Sequence, residues 1–214
     1  MLEWLTFLGE NQGHLFLLLG QHLFLLFASI IPAAAIGLGL GVLAARPEHR
    51  RRGRIILSVC GAAQAVPSVA IIALAFLFVG IGALPALIAL VLYSIVPVLF
   101  NTTSGLLSVP PATIQAARGM GLTPVQILWK IELPLAFPVI MAGLRSAATI
   151  NVGAATVASF IGGGGLGDLI FAGLKLYRPD MIFTGSLLCA LLAIAVDMGL
   201  GLVERRGTRG VVPV

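Results

Sequence analysis

Between two long apolar runs the chain reads Gln115-Ala116-Ala117-Arg118-Gly119-Met120-Gly121 and then, after nine intervening residues, Ile131-Glu132-Leu133-Pro134. This stretch lies in the largest polar insertion of a greasy sequence, Ser108–Glu132. The insertion opens with Val109-Pro110-Pro111. That triplet ends the preceding helix, because proline has no amide to donate and pushes the residue before it out of helical geometry. Ala112–Ala117 predicts a short helix, and Gly119 and Gly121 permit a tight turn. Thr123-Pro124 has the form of an N-cap followed by proline at the first helical position. Val125–Ile131 predicts a second short helix, which Leu133-Pro134 is expected to stop. Small residues at Ala116, Ala117 and Gly121 let such a helix approach another surface closely. Seated in a groove on a soluble partner, it would carry rigid-body motion into the apolar runs on either side. An ordinary helical hairpin between two runs has the same spacing.

The surrounding sequence is 59% hydrophobic and only 10% charged over 214 residues, with a mean hydropathy of +1.09. A water-soluble fold cannot hide that much apolar surface. Helices of about 20 apolar residues cross a bilayer core about 30 Å thick. Five such runs are read here: Leu23–Ala45, Ile55–Val79, Leu84–Leu107, Leu135–Ile161 and Met181–Val203. None alternates apolar and polar residues as a barrel strand would. The expected organisation is an all-α integral membrane protein. Residues 1–22 form an external or interfacial segment, 23–203 the membrane domain with its loop at 108–134, and 204–214 a cytoplasmic tail. The N-terminus carries Glu3 and Glu10 rather than the positive charge of a signal peptide. A short interfacial helix leading into the first span is favoured there, and a longer span starting near His14 is the alternative.

The net charge of +5 reads as topology and not as nucleic-acid binding. Arg46, Arg50, Arg51, Arg52 and Arg54 crowd one short loop, Arg205, Arg206 and Arg209 crowd the C-terminus, and Arg118 and Lys130 sit in the insertion. Excess Lys and Arg marks cytoplasmic loops. Five crossings place all three clusters on one side, giving an N-out, C-in topology. The other side receives Gly80-Ile81-Gly82 and the longer Gly162–Asp180 segment.

No group in the chain is arranged for bond chemistry. The phosphate-loop pattern is missing. Gly162–Gly167 is glycine-rich but lacks the following Lys and Ser/Thr, and reads as a flexible external turn, an outer gate or a receptor contact. His14, His22 and His49 are scattered and read as ordinary interfacial or loop histidines. Cys60 and Cys189 sit in apolar runs and read as small buried hydrophobes. No metal site is expected. Polar groups inside the spans matter more, because lipid penalises them. Gln64, Asn101 and Arg145 fall in the cytoplasmic halves of the second, third and fourth spans. Tyr93, Asn151, Thr156 and Ser159 lie farther along. They either line a translocation path with an inner gate or bond helix to helix. Arg145 has the further option of snorkelling to the headgroups, and Asp197 that of pairing with a basic neighbour. Aromatic content is 7%, and the spans show no aromatic cluster of the kind that cages quaternary ammonium ions.

The insertion resembles the cytoplasmic coupling loop of the permease subunits of type I ATP-binding-cassette importers. Those loops follow Glu-Ala-Ala, three residues, Gly, nine residues, Ile-x-Leu-Pro. Ala116, Ala117, Gly121, Ile131, Leu133 and Pro134 fall in register, and Gln115 stands where that family usually has Glu. The likeness extends over roughly Ile30 to Leu202. It is strongest to the osmoprotectant branch, which imports glycine betaine, choline and carnitine, through Gln64–Ser68, Gly80–Leu90, Ile150–Gly153 and Ile161–Asp168. Methionine-importer permeases are the nearest competitor.

The resemblance implies the type I importer permease fold in a bacterial or archaeal cytoplasmic (inner) membrane. The implied partners are two ATPase subunits, a second permease copy or paralogue, an extracytoplasmic solute-binding protein and the lipid bilayer. ATP and Mg would reside on the ATPase, with no cofactor on this chain, which would transport rather than catalyse. A self-contained channel or ion-coupled carrier is the reading from another class. Such a protein would place ionisable residues at midplane and have no docking loop.

Overall fold

The protein is seen here as a computed structural model, which describes residues 3–208. All its regular elements among those residues are helical. In chain order the α-helices are α1 (Glu3–Glu10), α2 (Gln12–Ala45), α3 (Arg50–Gln64), α4 (Ser68–Val79), α5 (Ala83–Leu107), α6 (Pro111–Gly119), α7 (Pro124–Ile127), α8 (Leu133–Ala158), α9 (Gly167–Leu176) and α10 (Pro179–Thr208). Four helical stretches are long and apolar enough to cross a membrane: α2, α5, Pro124–Ile161 and α10. Counting the bent pair α3 and α4 as one span gives five.

α2, α5 and α8 form the centre. Gly37 and Gly41 of α2 lie one helical turn apart and face Val98 and Thr102 of α5. A Cβ on either glycine would come within 2.8 Å of Val98 or 2.5 Å of Thr102, so side-chain-free backbone is what allows the approach. Leu26, Ile30, Val98, Ala147, Ala148 and Val152 fill the seam among the three helices. α10 lies along α8, where Leu192, Ala193 and Val196 pack against that seam. Outward faces stay apolar, as at Phe16, Phe24 and Ile31 of α2 or Ile194 and Met198 of α10. Such faces suit lipid and not water.

Two expectations change and one is sharpened. The helix that contains the first apolar run does not begin at Leu23: α2 runs without a break from Gln12. A boundary at residue 22 therefore falls inside a helix. In the second run, Ile55–Val79, Pro67 is one of the prolines that interrupt the spans, and the kink there is sharp: α3 and α4 meet at 94° across Ala65-Val66-Pro67. Pro67 cannot donate an amide and disfavours a helical Val66, so the chain turns there. Pro134 does not stop the second helix of the insertion. Leu128–Glu132 forms a π-helical turn in which the Leu133 amide reaches back to Leu128 O, five residues earlier. The widened turn delivers Pro134 to the first turn of α8, where a missing amide costs little. At the C-terminus α10 extends through the expected tail as far as Thr208, and Arg209 with the rest of 209–214 lies outside the described residues.

The helix ends sort by charge. Arg46 at the end of α2 pairs with Glu132 at the base of the insertion, and Gly207 of α10 abuts Phe137 of α8. The basic α2–α3 turn, the insertion and the end of α10 thus share one end of the bundle. At the other end the Gly80-Ile81-Gly82 turn joins Ile161, through Gly82 N–H to Ile161 O at 3.0 Å.

Candidate coupling helix and intramembrane polar groups

α6 begins with Pro110 as N-cap and Pro111 at its first position. Its end explains the fixed glycine. Gly121 has φ +81°. The Gly121 amide bonds Arg118 O at 2.9 Å and the Leu122 amide bonds Ala117 O at 3.1 Å. This pair of bonds is the Schellman closure, which uses a left-handed residue at the position after the C-cap. Ala117 is fully buried, whereas Gln115 and Ala116 are exposed. The next turn is set by a capping box. Gln126 N–H bonds Thr123 Oγ1 at 3.4 Å, and Thr123 N–H bonds Gln126 Oε1 at 2.9 Å. Met120, Val125 and Trp129 stand exposed around this elbow. Ile131, Leu133 and Pro134 are half-buried at its base. The buried Glu132 holds Arg46 Nη1 and Nη2 at 3.2 and 2.6 Å.

The intramembrane polar residues do not form one group. Gln64 is exposed at the α3–α4 elbow. Asn101 donates Nδ2 to Pro97 O of its own helix at 2.9 Å and abuts Gly143 of α8. Tyr93 is half-buried on α5. Asn151 is wholly buried, and its Nδ2 donates to Ser29 Oγ of α2 at 2.8 Å and to Ser94 Oγ of α5 at 2.7 Å. Thr156 bonds Val152 O at 3.2 Å and lies 3.4 Å from Cys189 Sγ on α10. Ser159 bonds Gly164 O at 3.1 Å. Arg145 pairs with Asp197 through two bonds, at 3.0 and 2.9 Å, and with Glu204 at 2.9 Å. The basic neighbour of Asp197 is therefore Arg145, and Arg145 is paired.

Sequence reasoning missed His22 and its contact with the glycine loop. His22 is fully buried on α2. Its Nδ1 accepts the Leu166 N–H at 3.2 Å, so Nε2 carries the proton and donates to Val152 O at 3.1 Å. The neighbouring Gln21 Oε1 accepts the Gly165 N–H at 3.0 Å. Gly164 and Gly165 have φ +76° and +95°, and a Cβ on either would press on Gln21 or His22. These bonds pin the loop to α2. The i, i+1 pair Gln21-His22 inside an otherwise apolar helix was its only trace in the sequence.

The chain matches, over residues 37–208, the family described as binding-protein-dependent transport system inner membrane component. It belongs to that family. Accordingly it is a multi-pass inner-membrane transport component. Among its relatives, the carnitine transport permease OpuCB of Listeria monocytogenes is 41% identical over 95% of this chain and 92% of its own length. The glycine betaine/carnitine/choline permease OpuCB of Bacillus subtilis is 38% identical over 97% and 95%. In structure the permease is similar to a chain of the inward-facing MetNI methionine ABC transporter, with a TM-score of 0.83 at 25% identity, covering 91% of this chain and 96% of that one.

Proposed function

We propose that this permease subunit forms, with a second copy or a paralogue, the path of an ATP-driven importer for osmoprotectants such as glycine betaine, choline or carnitine. Five spans then cross the membrane N-out and C-in, counting the bent α3–α4 pair as one. The observation that carries the reading is the exposed, rigidly closed α6 elbow, placed where the basic residues gather. In this reading Gln115 and Ala116 meet the ATPase, Ala117 and Gly121 fix the elbow's shape, and Ile131, Leu133 and Pro134 join it to α8. Two ATPase chains bind ATP and Mg and close. The elbows follow, and the spans turn outward to take solute from a binding protein.

Gln64, Tyr93, Asn101 and Arg145 are the residues proposed for the path. Asn151, Thr156 and Ser159 instead support it, because their hydrogen bonds run between helices or to the glycine loop. The substrate class follows the transport functions of the relatives. Reconstitution tests the whole reading. The purified permease alone in liposomes should pass no choline, and adding the ATPase, the binding protein and ATP should produce uptake. Unassisted flux would favour a self-contained channel or carrier.

A further inference from the structure

Three charged side chains meet between α8 and α10. Arg145 Nε and Nη2 donate to the two carboxylate oxygens of Asp197, and Nη1 donates to Glu204. The cluster is not sealed. The side chains of Arg145 and Asp197 keep 32% and 43% of their surface. Both line a cavity of about 370 Å³ together with Ala142, Ser146, Thr149 and Ile150. Charged groups within spans face a bundle interior or a wet cavity, because lipid penalises them. The volume falls within the range of about 300–1,000 Å³ typical of small-molecule sites.

We propose that this cavity is a transient station for the quaternary ammonium head of the transported solute. Asp197 serves as its counter-charge, and Arg145 receives a solute carboxylate where there is one. The inference rests on the osmoprotectant reading above. A quaternary ammonium has no proton to lose, so it must carry its charge through the membrane and needs an anionic partner on the way. A zwitterion such as glycine betaine can exchange ion for ion with an existing Arg–Asp pair, opening it without leaving either charge alone. Ser146 and Thr149 offer hydroxyls beside it. The lining residues include no aromatic ring. The head is therefore held by charge without a cage, which suits passage better than storage.

The complete transporter in proteoliposomes tests this, with choline and glycine betaine uptake and ATP hydrolysis measured together. Asp197→Asn keeps a hydrogen-bond acceptor for Arg145 but removes the counter-charge. Hydrolysis stimulated by the loaded binding protein should stay within about twofold, while choline uptake falls about tenfold, the loss of a charge-assisted contact. Glycine betaine uptake should fall less, since Arg145 remains. Uptake and hydrolysis changing in one ratio would overturn the proposal alone. A wild-type complex that moves neither solute would overturn the solute reading and the proposal with it. Should Asp197→Asn fail to assemble, Thr149→Cys in a Cys60→Ser, Cys189→Ser background decides. A trimethylammonium methanethiosulfonate should label it and block uptake, and choline should slow the labelling. No labelling, or labelling without effect, would overturn the proposal.

Discussion

Arg46, the residue that closes α2, and Glu132, the last residue of the π-helical turn, form a two-bond ion pair across 86 positions of sequence. Glu132 is buried, and the Arg46 side chain is about one-quarter exposed. The pair fastens the root of the α6 elbow to the end of α2, so in the proposed mechanism motion of the elbow is passed to two spans rather than one. Removing one partner strands the other charge. Glu132→Ala should therefore destabilise the purified complex by about 1–3 kcal/mol, read from thermal unfolding in detergent. The Arg46→Ala, Glu132→Ala double variant should lose less than the two single losses added together. Strict additivity would mean that the pair has no energetic coupling.

Gly121 is the left-handed residue of the Schellman closure. Any L side chain there strains the backbone, at a cost of about 1–2 kcal/mol. Gly121→Val should misplace the elbow more than it unfolds the bundle. The expected outcome is a complex of near-normal melting temperature whose ATP hydrolysis no longer drives uptake. A normal ratio of uptake to hydrolysis would show that elbow geometry is immaterial.

Gln115 is exposed on α6. Gln115→Glu adds charge without changing shape, and docking here is proposed to depend on shape and on Met120, Val125 and Trp129. Coupling should stay intact or tighten, measured as ATP hydrolysed per solute imported. A sharp loss would place the side chain beside an acidic or apolar surface of the ATPase.

His22 bridges Leu166 N–H and Val152 O inside the bundle. His22→Phe keeps the bulk but leaves the Leu166 N–H unpaired, at a cost of about 1–3 kcal/mol, while Val152 O keeps its bond from Thr156 Oγ1. Amide hydrogen exchange should rise at Gly165, Leu166 and the start of α9, with the α6 elbow unchanged. Unchanged protection at Leu166 would show that the loop is held by other contacts.

Composition made the helical membrane class legible, and spacing made the elbow legible. Gly121 could be placed because a left-handed helix closure needs glycine, and Thr123-Pro124 because a helix start needs a side-chain acceptor. The π-helical turn was invisible for the opposite reason. Pro134 is a helix breaker by local rule, and only a change of hydrogen-bond register upstream lets the helix run through it. Pro67 marked a kink in the second run, but the size of the bend, 94°, depends on how α3 and α4 pack and could not be read from the residue itself. Pairings such as Arg145–Asp197 and His22–Leu166 depend on which helices are neighbours, and a single sequence carries no signal of that.

The central claim is that the α6 elbow grips a separate ATPase, and Ala116 is the position that tests it most directly. It is exposed on α6 and small, so a cysteine can be placed there without altering the fold. In a complex that transports, Ala116→Cys should form a disulfide or short crosslink to a cysteine introduced in the surface groove of the ATPase, and reducing that link should restore uptake. Capture of no ATPase, by this cysteine or by others stepped along Pro111–Gly119, in a complex shown to be transport-competent would contradict the account.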